Sequence, residues 1–232
     1  MIRKTLPFLA AALLACTFGS AHAQSDVPPT PLEKQLHKLD LSIAGIGVYN
    51  SSVTGNVVTY LAATNQGQSI TQFGSNTAGL LVSIQYPAKP YFGLEFNYSL
   101  ARYTENFTGP GVANIQPLPS TSFLVQAKAD EYTIGYLITP PHLIFGLQPF
   151  ASAGAGTQTF KPTAFGGQEE PEQARMTYYG AIGVQNAVNQ HFGFRAGYRQ
   201  IFFLDPDFGQ NYLTILGHAT TYEPMVGFYL RY

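Results

Sequence analysis

The chain has 232 residues, twelve Lys and Arg against thirteen Asp and Glu, and a formal net charge of −1 at pH 7. Charged residues make up only 11% of it, under half of the roughly 25% usual in soluble domains, while aromatics reach 14% and glycine occurs 23 times. This balance leaves no basic stripe for nucleic acid, and a single cysteine, Cys16, excludes a disulfide framework.

Met1 to Lys4 is basic, Leu6 to Ala15 is a short apolar run, and Ala21-His22-Ala23 is a small-x-small cleavage site. Residues 1–23 therefore read as a secretory signal peptide, its apolar run too short for a spanning helix. Leu13-Leu14-Ala15-Cys16 also has the form of a lipoprotein box, in which Cys16 would be lipidated instead. Cleavage after Ala23 removes Arg3 and Lys4, leaving a mature charge near −3, and removes the one thiol. Residues 24–38 follow as a periplasmic segment with prolines at 28, 29 and 31 and a Leu32, Leu36, Leu39 stripe suited to one or two helical turns.

From Leu39 onward, segments of alternating apolar and polar residues are separated by turn chemistry, the period of strands with two unlike faces. Eight are expected: Leu39–Tyr49, Gly79–Tyr86, Tyr91–Tyr103, Phe123–Thr139, Leu143–Phe160, Met176–Val188, Phe192–Phe203 and Thr221–Tyr232. Pro87–Pro90, Pro140–His142 and Asn189–His191 form tight turns, whereas Asn50–Ala78, Thr104–Ser122, Lys161–Arg175 and Leu204–Thr220 form long loops. Short turns at one end and long loops at the other predict an all-β, antiparallel up-and-down transmembrane barrel over residues 39–232. No run of about eighteen apolar residues offers a transmembrane helix.

The faces divide by chemistry. Phe92, Leu94, Phe96, Tyr98 and Leu100 alternate with Gly93, Glu95, Asn97 and Ser99, and Phe192, Phe194, Ala196 and Tyr198 with Gly193, Arg195, Gly197 and Arg199. A basic side chain facing lipid at the midplane costs about 2–4 kcal/mol, so Glu95, Arg195 and Arg199 are expected inside. The inverse arrangement, polar out and apolar in, is the soluble lipocalin-like alternative. Eight strands enclose room only for packed side chains. Glycine, serine and charged pairs suit that lumen, and the bulky aromatics are expected outside.

The signal peptide, the strand and loop rhythm, the Gln148–Gly156 strand and the ending on Tyr232 resemble the eight-stranded bacterial outer-membrane β-barrel family, of the OmpA-transmembrane or OmpX type. The resemblance implies an outer-membrane location, contact with outer-membrane lipids and lipopolysaccharide, and recognition of the C-terminal strand by the barrel-insertion machinery. Val226, Phe228, Leu230 and Tyr232 would carry that assembly signal, with the last strand closing on Leu39–Tyr49 so that Leu41 and Ile43 share its outer face.

Within the lumen, Gln85, Glu95, Asn97, Glu131, Gln148, Gln185, Arg195, Arg199 and Arg231 form the candidate polar network. Glu95 and Glu131 suit the planar guanidinium forks. A plug is the expected role, a gate or ion path the competing one. Paired carboxylates are expected only in loops, at Glu169, Glu170 and Glu172 and at Asp205 and Asp207, as solvated residues or oxygen ligands for a hard cation. His218, followed by Ala219 and Thr220, lacks the His-x-Ser pattern of a lipid A deacylase. Arg102, near the outer end of its strand, could meet lipopolysaccharide phosphate. No catalytic constellation, metal or cofactor is expected. The leading reading is a non-enzymatic envelope or surface-interaction protein whose extracellular ligand is unidentified. The others are a small-solute channel, including an OmpW-like route, and an enzyme acting on lipid A or peptides.

Overall fold

A computed structural model describes residues 36, 38–56, 69–109, 121–164, 170–208 and 215–231. The signal peptide, Cys16, most of residues 24–38 and Tyr232 lie outside the described residues. Ten strands follow in order: β1 (Asp40–Asn50), β2 (Ser52–Asn56), β3 (Ser69–Gly74), β4 (Thr77–Lys89), β5 (Phe92–Gly109), β6 (Thr121–Ile138), β7 (Gln148–Pro162), β8 (Gln173–Ala187), β9 (Phe192–Leu204) and β10 (His218–Arg231). Every pairing is antiparallel. β4, β1, β10, β9, β8, β7, β6 and β5 join in that order, and β5 pairs back to β4, closing an eight-stave barrel. No helix among the described residues is long and apolar enough to cross a membrane.

The seam between β1 and β10 follows the sequence pattern. Leu41 lies opposite Leu230 and Ile43 opposite Phe228, with both pairs on the outer face, while Asp40 lies opposite Arg231 on the inner one. A one-residue slip would turn the apolar row inward, so the register is fixed by partition. Closure also removes the exposed edges that lipid could not satisfy. Deletion of Phe228–Tyr232 is expected to abolish insertion rather than weaken it; protease resistance and heat-modifiable gel mobility of the truncated protein would check this.

Several expectations are corrected. The loop Asn50–Ala78 contains the β2–β3 hairpin, in which Ser52 pairs with Phe73 and Asn56 with Ser69. β3 continues the wall by pairing with the outer part of β5, and Ser51 N donates to Thr220 O on the other side. Apart from Phe73, its outward residues are polar, and Thr54 and Thr71 bond each other at 2.8 Å, so it lacks the continuous apolar row that marks the staves. The expected strand at Leu143 begins only at Gln148. Phe145 and Gly146 take positive φ of 52° and 78°, and Ile144 and Leu147 exchange two backbone hydrogen bonds, a two-residue hairpin turn that occupies the apolar run. At the expected Pro87–Pro90 turn β4 continues to Lys89, with an irregularity between Tyr86 and Lys89 where Pro87 has no N–H for the ladder.

A further correction concerns aromatics. The interior of the long-loop half holds Tyr103, Phe107, Phe160, Phe203 and Phe208, all nearly inaccessible, together with Val125, Ala127, Ala129 and Ile201. Alanines beside the rings provide the space. Phe160 packs edge-on to Tyr103 at 6.2 Å and tilted on Phe203 at 5.5 Å. The barrel is therefore filled by two unlike materials, a polar half near the short turns and an apolar half near the loops.

Candidate functional site

The polar half is built in tiers from inward positions of the eight staves. At the short-turn end, Arg231 of β10 donates through Nε and Nη2 to the two oxygens of Asp40 on β1, each at 2.9 Å. This pair fastens the seam at its open end, where Arg231 remains half exposed.

The next tier centres on Glu95 of β5. Arg195 Nη1 donates to Glu95 Oε1 at 2.9 Å from the opposite wall, Gln85 Nε2 donates to the same oxygen at 2.8 Å, and Tyr179 Oη and Asn97 Nδ2 donate to Oε2 at 3.2 and 3.3 Å. Both charged residues are under a tenth exposed. The guanidinium lies 3.7 Å from the Phe150 ring centroid, a cation–π contact of the strong, desolvated kind. Phe150 reaches it by lying over Gly183, where an added Cβ would come within 2.6 Å of the ring and 2.4 Å of Ala196 O. Gly183→Val is thus expected to cost about 1–3 kcal/mol through overpacking, read as a lowered unfolding midpoint in urea.

Arg199 of β9 forms the third tier. Its Nη1 donates to Glu223 Oε2 at 2.9 Å and to Glu131 Oε2 at 3.2 Å, and its Nη2 donates to Glu131 Oε1. Ser99 Oγ adds a bond to Glu131 at 3.3 Å, and the guanidinium lies 4.8 Å from the Tyr179 ring centroid. Arg199 is 1% exposed. Two carboxylates therefore converge on one buried arginine, which corrects the expectation that carboxylate pairs occur only in loops. Glu223 is absent from the sequence-based network although its parity with Arg231 on β10 places it in the inward row. Tyr179 and Ser152 follow from the same count, starting from Ala181 and Phe150.

Of the other candidate residues, Gln185, opposite Arg195 in register, donates to Gln148 at 3.0 Å near the short-turn end. Val226, Phe228 and Leu230 point outward and are 69%, 59% and 53% exposed. Beside Glu95, Arg195 and Arg199 lies a cavity of about 10 Å³, about enough for one water.

Of the loop carboxylates, Glu169 lies outside the described residues, and Asp207 and Glu172 have protein partners. Asp207 Oδ1 accepts from Gln173 Nε2 at 2.5 Å and from Arg175 Nη2 at 3.2 Å, and Glu172 lies 3.6 Å from Lys161. Among the described residues no group of three or more His, Cys, Asp or Glu side chains is arranged to hold a metal ion. At the loop-side mouth, Gln72 Nε2 donates to Pro206 O at 2.7 Å, and Phe107 meets Phe208 edge-on at 6.4 Å. These contacts lay the described part of the fourth loop over the apolar half.

Outside, the pattern reverses. Ile134, Tyr136 and Ile182 are 60%, 70% and 63% exposed, and the staves present an apolar belt too large and continuous for water. Buried charge with an apolar exterior excludes the lipocalin-like arrangement. Crystal structures of the outer membrane protein OprG from Pseudomonas aeruginosa and of Neisserial surface protein A share this architecture. The first matches at TM-score 0.56 and 13% identity over 83% of this chain and 95% of that one; the second at 0.52 and 14% over 84% and 97%. The chain has the fold of the eight-stranded outer-membrane β-barrels. Together with the apolar belt, that fold places it in an outer membrane. No protein-family model and no curated protein matches the sequence.

Proposed function

We propose that this protein is a non-enzymatic barrel whose packed interior anchors surface loops for envelope integrity or contact with an external partner. The filled lumen supports this reading. Two tiers of ion pairs and hydrogen bonds cross the polar half, a third pair fastens its open end at the seam, and the cavity beside Glu95, Arg195 and Arg199 holds about one water. A hydrated ion has no path through such packing without displacing Arg195 or Arg199. The segments Asn50–Ala78, with the β2–β3 hairpin, and Thr104–Ser122, with the ends of β5 and β6, are rich in Ser, Thr, Asn, Gly and Gln and would meet partners through polar groups more than through charge.

The small-solute alternative, including an OmpW-like route, draws support from the apolar half behind the mouth, where Phe107, Phe160 and Phe203 line the interior. Those rings pack on one another and on Phe208, so a solute would have to displace them.

A deletion strain separates the readings. Complementation by the whole protein should restore resistance to detergents or surface attachment, whereas a barrel with residues 57–68 and 110–120 replaced by short Gly-Ser linkers should insert and fail to restore it. Uptake of small apolar compounds and the lipid A mass spectrum should not change on deletion. A fall in uptake would support the solute route, and an altered lipid A spectrum would support an enzyme.

A further inference from the structure

The outward row changes character at one edge of the belt. On β5 it runs Phe96, Tyr98, Leu100 and then Arg102, and on β6 it runs Ile134, Tyr132, Asp130 and then Lys128. Backbone pairing sets Arg102 opposite Lys128, and Lys128 opposite Lys161 of β7. Three cations thus stand side by side on adjacent strands. Like charges directly opposite each other are destabilising, and none of the three enters the lumen network.

The protein's own anions neutralise the row incompletely. Asp130, one outward position nearer the belt, lies 3.1 Å from Lys128 Nζ and 3.9 Å from Lys161 Nζ and also accepts from Tyr98 Oη at 2.8 Å. Glu172 reaches Lys161 alone. Arg102 is exposed and makes no ion pair with any described residue. Leu100 and Tyr132 lie on the membrane side of the row and Thr104 and Gln126 on the other, the level at which acyl chains give way to headgroups.

We propose that Arg102, Lys128 and Lys161 form a binding site for the phosphate of a phosphorylated outer-leaflet glycolipid, whose acyl chains lie against the belt of β5 and β6. The planar fork of Arg102 suits bidentate phosphate contact, and the two lysines act as point charges beside it. Phe96 and Ile134, 44% and 60% exposed, offer the apolar surface below. The site rests on the lipid-facing exterior and is independent of the role proposed for the loops.

The test uses the mature barrel in phosphatidylcholine nanodiscs loaded with bisphosphorylated or dephosphorylated lipid A, with retained lipid counted by native mass spectrometry. The wild type should retain the phosphorylated lipid about tenfold more than the dephosphorylated one, since each basic group near the headgroups contributes to binding. R102Q/K128Q/K161Q should erase the preference, and D130N, which removes the competing anion, should increase it. Heat-modifiable mobility shows whether each variant assembles; R102Q alone carries the comparison should the triple variant not assemble. Equal retention of the two lipids by the wild type, or an unchanged preference in an assembled cation variant, would overturn the site. Millimolar inorganic phosphate should leave the lipid in place, and its displacement would overturn the lipid assignment in favour of a soluble anion.

Discussion

Arg199→Met is expected to be the most damaging single substitution in the polar half, destabilising the barrel by about 3–5 kcal/mol or preventing assembly. The residue is 1% exposed and bonded to both Glu131 and Glu223, so its removal leaves two buried carboxylates facing each other without a counter-charge. Most of the cost comes from those stranded groups rather than from the lost bonds. Arg199→Met combined with Glu131→Gln and Glu223→Gln should therefore recover much of the stability. Arg199→Lys should recover less, because a point charge cannot reproduce a fork that bonds Glu131 through both terminal nitrogens. Urea unfolding of the barrel in lipid vesicles, followed by tyrosine fluorescence, measures all four proteins. Equal losses in the single and the triple variants would show that the site is simply intolerant of substitution.

A second large effect is expected from pH at the loop-side mouth. Glu105 lies three residues beyond Arg102, where the outward row of β5 has become polar, and Asp205 follows the end of β9, so both stand outside the apolar belt. Burial, and then the neighbouring Asp205 carboxylate, push Glu105 up to about 8 from 4.5, with a Gln72 hydrogen bond acting in the opposite direction. Burial pushes Asp205 up to about 7 from 3.8, partly opposed by Arg175. Glu105 Oε2 has no hydrogen-bond partner in the closed mouth, as suits a group held neutral. Raised acid pKa values mean that the closed mouth binds protons more tightly than the open one. Its stability is complete below the ordinary carboxylate range and falls as pH rises through 7 and 8. A tenfold difference in proton affinity between the two states is worth about 1.4 kcal/mol, so the two carboxyls together favour opening of the mouth as pH rises. Amide hydrogen exchange at Asp205, Asp207 and Phe208, corrected for intrinsic rates, should quicken many-fold between about pH 5 and about pH 9, the range that brackets both titrations. Glu105→Gln should flatten most of that dependence.

The staves were legible because lipid enforces a strict partition. In β5, Phe96, Tyr98 and Leu100 can only alternate with Glu95, Asn97 and Ser99 if one row meets acyl chains and the other meets water or counter-charge. The β1–β10 register was legible for the same reason, since Leu41 and Ile43 must share a face with Leu230 and Phe228. Above the belt the constraint disappears. Thr54 and Thr71 of the β2–β3 hairpin face water, where a polar strand and a polar loop look alike. The inner aromatics were hidden for a different reason. Tyr103, Phe160 and Phe203 lie in the inward rows by parity, but only the three-dimensional packing shows that Ala127 and Ala129 leave them room. Glu223 follows from parity with Arg231, but its sharing of Arg199 with Glu131 depends on how distant staves meet across the barrel.

We infer that the Glu95–Arg195 and Glu131–Arg199–Glu223 tiers close the lumen. Planar-bilayer recording tests it most directly, on the wild type beside Glu95→Ala, with insertion of both confirmed by heat-modifiable mobility. A closed lumen predicts no steady conductance from the wild type and, at most, brief openings from Glu95→Ala, in which Arg195 loses its carboxylate. A large, steady wild-type conductance would contradict it.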